Sequence, residues 1–249
     1  VSLFVLVPWC MQIRRFVSSA KLSATARRYL KLHELKHAVS RMESIVQADE
    51  GKRGISDIIL PSGELYDAAT NMVEANRVAI ITGFPCMLNC TPPTETDGPL
   101  GALSIAKTLV ALGKNVVILT DECNEEVLLA CASAAMSHKT SLPNGLKTGT
   151  LTLESFPAST IFDESDGARL LELQKSVDLV VAIERAGPCQ DGRYLTMRGY
   201  DMSHLVAPLE LLLMPAGVQE EAQKDIPDFG QSGKVPRSIG IGISITHMG

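Results

Sequence analysis

Three runs of aliphatic and β-branched residues, RVAIIT (77–82), NVVILT (115–120) and DLVVAIE (178–184), keep their interior positions continuously apolar. A strand wetted on one face alternates apolar and polar side chains, so an unbroken apolar run means burial on both faces. Segments with helical spacing separate these runs. The alternation predicts a three-layer α/β domain, a mostly parallel sheet with helices on both faces. A fourth run, RSIGIGISI (237–245), predicts the last strand. Helices are expected over 98–112, 124–137 and 164–177, and over a segment capped by Ser62 that carries Leu65, Ala69, Met72 and Val73. The stretch LKTGTLTLESFP (146–157) fits no single assignment.

Residues 20–48 repeat Leu22, Ala26, Tyr29 or Leu30, His33, Val39, Met42 and Val46 at helical spacing and close on DEGKRG. The chain therefore divides into a basic N-terminal helical segment over 1–50 and an α/β domain over 51–249. Residues 1–33 hold six basic side chains and no acid, which leaves 17 basic against 28 acidic residues in the rest. An acidic body argues against a nucleic-acid surface and suits a cation or a small, well-compensated substrate. The opening VSLFVLVPWCM is too short to span a bilayer. The acid-free QIRRFVSSAKLSATARRYLKL reads either as a mitochondrial transit segment or as a basic surface helix. Six cysteines, Cys10, Cys86, Cys90, Cys123, Cys131 and Cys189, form no CxxC pair and read as reduced thiols.

HELKH (His33 to His37) matches a zinc-protease pattern, but it lies in a basic helix without an evident third ligand, and the match is read as accidental. GFPCMLNC (83–90) lacks the glycine spacing of a phosphate-cradling loop. The acids at strand ends carry more. Glu95 and Asp97 precede a helix, Asp121 and Glu122 follow the second strand, Glu184 ends the third, and Asp191 lies beyond it. In a parallel sheet these ends share one edge, where ligands bind. Asp97, Asp121 and Glu122 read either as helix caps and dipole partners or as members of a site; converging carboxylates would call for a hard divalent cation.

Two blocks, PPTETDGPLGALSIAKTLVALGKNVVILTDE (92–122) and AIERAGPCQDGRYLTMRG (182–199), resemble the C-terminal domain of the mitochondrial D-glutamate cyclase family. The resemblance runs from about Asp49 to Ile241. It implies a three-layer α/β domain, a mitochondrial matrix location, and conversion of D-glutamate to 5-oxo-D-proline with loss of water. The matching positions are Thr94, Glu95, Asp97 and Gly98, then Glu184, Arg185, Gly187, Pro188, Asp191 and Gly192. Related stand-alone domains suggest Mn²⁺ or Mg²⁺ binding and phosphatase-like activity. On this basis Glu95, Asp97 and Glu184 are the expected catalytic set, with Glu95 as general base, and Asp97, Glu184 and Asp191 are the expected metal ligands. Thr94, Gly98 and Arg185 are expected to bind substrate, Arg185 by a forked pair with a carboxylate.

After IGIG the chain reads ISITHMG, where the family continues into an acidic glycine-rich loop; the expectation is a domain shortened at its end, with reduced turnover. Two other readings stand beside the lyase. One is a metal-dependent phosphomonoester hydrolase using the same acids, and the other is a non-catalytic metabolite-binding or assembly module.

Overall fold

A computed structural model describes residues 24–48, 62–136, 149–214 and 235–242. The transit-like segment before Ala24 and the ISITHM stretch after Gly242 lie outside the described residues. The chain divides into two compact units, Val1–Asn71 and Met72–Gly249. Among the described residues no helix is long and apolar enough to cross a membrane.

Among the described residues the first unit holds α1 (Ala24–Val46) and the start of α2 (Glu64–Glu74), which runs on into the second unit. Glu43 of α1 is buried and accepts hydrogen bonds from the backbone N–H groups of Gly63 and Leu65. A carboxylate there satisfies donors that the first turn of α2 leaves without intrahelical partners. The same bonds hold Glu43 below its ordinary pKa. His33, Glu34 and His37 of the HELKH motif are all exposed on α1.

The second unit is the expected α/β layer structure. Five parallel strands, β1 (Arg77–Gly83), β2 (Asn115–Asp121), β3 (Leu151–Phe156), β4 (Leu179–Arg185) and β5 (Arg237–Ile241), lie in the order β3-β2-β1-β4-β5. β3 supplies the assignment that the 146–157 stretch lacked. It is an edge strand and only partly buried, which is why its sequence mixes Thr, Glu and Ser with Leu and Phe. Three longer helices connect the strands: α3 (Asp97–Ala111), α4 (Glu125–Met136) and α5 (Glu164–Ser176).

Alternation along the strands sorts the core into two layers. Val78 and Ile80 of β1, Val116 and Ile118 of β2, and Leu179, Val181 and Ile183 of β4 pack with Ala102, Leu103, Ile105, Ala106 and Leu109 of α3 and Leu128 of α4. Ala79, Ile81, Val117, Leu119 and Val180 face the other way, against Leu170 of α5 and Leu209, Leu211 and Leu212 of a 3-10 turn (Leu209–Leu213). Crossovers between parallel strands are right-handed, so reversing the direction of travel across the sheet moves the connecting helix to the opposite face. The chain steps outward from β1 through β2 to β3, then returns through α5 to β4 on the far side of β1. The reversal places a switch point between β1 and β4, the position at which open α/β sheets have their ligand crevice.

One buried polar side chain fastens the second layer. Gln174 of α5, 5% exposed, directs its amide nitrogen at the carbonyls of Leu211, Leu212 and Met214, at 3.2, 3.1 and 2.9 Å. Gln174→Met keeps the length but removes the donors, and is expected to lower unfolding free energy by about 1–3 kcal/mol through stranded carbonyls. Urea denaturation measures this; an unchanged midpoint would show that those carbonyls find other partners.

Candidate functional site

At the carboxy edge β1, β2 and β4 end on Gly83, Asp121 and Arg185. Asp121 is fully buried and the Arg185 side chain is 6% exposed. Arg185 grips Asp121 with both arms of its fork, Nη1 to Oδ2 at 2.5 Å and Nη2 to Oδ1 at 2.7 Å. The same two nitrogens also donate to the carbonyls of Gly83 (3.2 Å) and Ala207 (2.6 Å). Burial works against the guanidinium charge, but the facing Asp121 carboxylate outweighs it and raises the Arg185 pKa. One residue thus ties the ends of β1, β2 and β4 to the segment before the 3-10 turn. Asp121 makes no capping bond to the short turn it precedes, so the cap reading does not hold for it.

Further polar side chains continue outward from this pair. Asn124 is buried and donates its amide Nδ2 to Asp121 Oδ2 at 2.8 Å, and the Thr94 hydroxyl donates to Asn124 Oδ1 at 2.5 Å. Gly83 makes the approach possible. Its φ of +113° suits glycine, and a Cβ there would lie 2.5 Å from Asn124 Nδ2 and 2.8 Å from Thr120 Oγ1.

Glu184 sits beside Arg185 in the left-handed region, with φ at 45°. The β1–β4 register shifts there: Thr82 pairs with Ile183 but Gly83 pairs with Arg185, so Glu184 is the extra residue of a bulge. Bulges re-aim side chains, and a bulky residue at positive φ stores on the order of 1 kcal/mol of strain. The bulge puts Arg185 in register with Gly83, whose carbonyl it holds. Gly98, in the first turn of α3, packs directly on this bulge; a Cβ there would stand 3.1 Å from Glu184 Cβ and 2.8 Å from Thr82 Oγ1.

The loops above the edge have a core of their own. Ala186, Tyr194, Met202 and Val206 are buried together with Phe84, Leu88 and Leu205 packed against them. The Tyr194 hydroxyl donates to Glu210 Oε1 at 2.5 Å. Burial raises the Glu210 pKa against the pull of Arg185, and its Oε2 is buried without a hydrogen-bond partner. Burial and the adjacent Glu210 likewise raise Tyr194. Two thiols border the site. Burial and Glu95, which accepts from Cys86 Sγ at 3.3 Å, push Cys86 up to about 11; burial and Asp121 push Cys123 up to about 12. Neither is a ready thiolate nucleophile.

The residues singled out in the sequence therefore fall into two groups. Thr94, Glu95, Gly98, Glu184 and Arg185 stand on the loops and strand ends around the switch point. Arg185 spends its fork on Asp121, where a substrate carboxylate was the expected partner. Asp97 is exposed at the first position of α3 and accepts from the Gly98 N–H at 3.0 Å, the dipole-partner arrangement that was its other reading. Asp191 is exposed and turned onto Arg193, 2.7 Å from Nε and 2.6 Å from Nη2, which holds its pKa down. Among the described residues no three His, Cys, Asp or Glu side chains are placed to hold a metal ion. Asp97, Glu184 and Asp191, the expected ligand set, form no such group of three.

Asn124, Tyr194 and Glu210 escaped the sequence reading. Glu210 had left a signal, a lone acid inside the apolar run LVAPLELLLMP, where burial demands a partner.

An open parallel sheet wound both ways from β1 defines the doubly wound α/β class, in which ligands bind at the switch point. Within that class the chain belongs to the D-glutamate cyclase-like, C-terminal family, whose family model matches residues 42–230 and takes in both blocks of the resemblance. The mitochondrial D-glutamate cyclase of Homo sapiens is 33% identical over 202 residues, a match covering 78% of this chain and 30% of that relative.

Two outcomes follow from the buried network. Asp121→Ala strands the Arg185 charge in the interior and is expected to cost about 3–5 kcal/mol in denaturant unfolding. Glu210 binds its proton more tightly folded than unfolded, so its contribution to stability is fully present below its ordinary value of 4.5 and is lost as pH rises through the raised folded value. Glu210→Gln keeps an acceptor for Tyr194 and cannot ionise. The difference in urea midpoint between wild type and Glu210→Gln should shift toward the variant as pH rises from 4.5, and a pH-independent difference would mean Glu210 is not perturbed.

Proposed function

We propose that this domain binds D-glutamate at the switch point between β1 and β4 and takes part in closing it to 5-oxo-D-proline in the mitochondrial matrix. The observation that carries the reading is the match to the D-glutamate cyclase-like family, whose two blocks supply the loops flanking this crevice. The relative's name supports the substrate and the mitochondrial location.

Ring closure forms a bond between the α-nitrogen and the side-chain carboxyl carbon and breaks one carbon–oxygen bond. Starting from an ammonium and a carboxylate, two protons move from nitrogen to the departing oxygen, which leaves as water. Carboxylates held at the crevice suit that transfer, and Glu184 and Glu95 are the two we assign to it. Glu184 is placed by its bulge and Glu95 by its N–H to Phe84 carbonyl bond at 3.1 Å. Gly98 admits the approach to Glu184 because it has no side chain. Arg185 serves as the anchor that keeps three strand ends in register.

Incubating the chain with D-glutamate and following 5-oxo-D-proline, with and without Mn²⁺ or Mg²⁺, tests the reading. Glu184→Gln is expected to lower kcat by about 10²–10⁴-fold, the range for loss of a proton-transfer group. Product formation that survives both Glu184→Gln and Glu95→Gln would end the assignment. Phosphate release from a generic monoester, run in parallel, reads out the hydrolase alternative. A chain that binds D-glutamate without turnover would favour the binding-module alternative.

A further inference from the structure

The hydrogen bonds around Asp121 fix the direction of every proton between it and Thr94. An ionised carboxylate has about four acceptor sites and no proton to give. In Asp121 all four are taken: Oδ1 accepts from Arg185 Nη2 and from the backbone N–H of Ala207 at 2.7 Å each, and Oδ2 accepts from Arg185 Nη1 at 2.5 Å and Asn124 Nδ2 at 2.8 Å. The amide of Asn124 is therefore locked with its NH₂ toward Asp121, since a flip would set its carbonyl oxygen against the carboxylate. Its Oδ1 then faces Thr94, and a carbonyl oxygen only accepts. The Thr94 hydroxyl has a single proton, and that proton is committed to Asn124. Lone pairs are what Thr94 has left to offer. The residue is half-buried at the end of the loop that follows β1, next to Glu95.

From this chain we infer that Thr94 is a specificity residue that accepts a hydrogen bond from the substrate, and so selects for an N–H donor over a carboxylate or a bare methylene. Its natural partner in the D-glutamate reading, on which the inference rests, is the α-amino group. An acceptor there holds the nitrogen that must attack, while a hydroxyl free to rotate would serve a carboxylate equally well. Asn124 and Gly83 are the positioning residues: Asn124 transmits the polarity of the buried carboxylate, and Gly83 leaves the room for Asn124 to do so.

The test compares D-glutamate with glutarate, which has the same carbon chain and both carboxylates but no amine. Affinities are measured by calorimetry on the whole chain for wild type, Thr94→Ser and Thr94→Val. Wild type is expected to favour D-glutamate by about tenfold, the scale of one hydrogen bond to a charged group. Thr94→Val should lose that preference while glutarate affinity stays within about twofold, and Thr94→Ser should retain it. Equal loss for both compounds, or no loss in Thr94→Val, overturns the inference while leaving the D-glutamate reading intact. The wild-type preference needs no variant, so equal wild-type affinities overturn it even if Thr94→Val fails to fold. Wild type binding neither compound would overturn the D-glutamate reading itself, and the inference with it.

Discussion

The pair formed by Asp121 and Arg185 is the interaction on which the carboxy edge depends. Two charges leave water only if their mutual attraction and their remaining hydrogen bonds cover the cost of dehydration. Here Asp121 is saturated by four donors and Arg185 is also bound to two backbone carbonyls, while Arg185 Nε is buried without a partner. Such a pair adds little net stability over a well-packed apolar substitute, but it is exacting about geometry. It holds only when β1, β2, β4 and the segment at Ala207 stand in one arrangement. The crevice therefore has a rigid floor.

That floor imposes shape on what lies above it. The bulge at Glu184 lets Arg185 fall in register with Gly83, and it leaves Glu184 at positive φ, a conformation that a glutamate adopts only when its surroundings compel it. Glycine would relax the backbone at that position, yet the chain keeps a carboxylate. The same trade appears at Gly98 and Gly83, where side chains are given up so that α3 and Asn124 can approach the strand ends. Side chains are strained or given up at three neighbouring points, all at the switch point.

Much of the architecture was legible before the structure. Continuous apolar runs reported strands buried on both faces, and the helices between them implied a parallel sheet with its functional edge at the strand ends, because burial leaves its mark residue by residue along the chain. β3 was not legible: as a partly buried edge strand, its Leu-Thr-Leu-Glu-Ser-Phe pattern carries neither a continuous run nor a helical period. Glu95 and Glu184 were visible as acids where such a sheet turns outward, and Thr94, Gly98 and Arg185 as positions matching the family's two blocks. Their partners were not.

By itself the sequence determined the class of fold, the two faces of the core and the loops that border the crevice, since each follows from local periodicity and composition. Only the tertiary structure decided who meets whom. Asp121 and Arg185 stand 64 residues apart, and Arg185 and Gly83 102 apart. They meet because the order β3-β2-β1-β4-β5 sets β1 between β2 and β4 with their ends aligned. Hydrophobic burial is non-directional and records only that a residue is inside. Hydrogen bonds and ion pairs are directional, so whether Arg185 binds a substrate or a neighbour, and whether Thr94 donates or accepts, is settled by which strand ends the fold brings side by side.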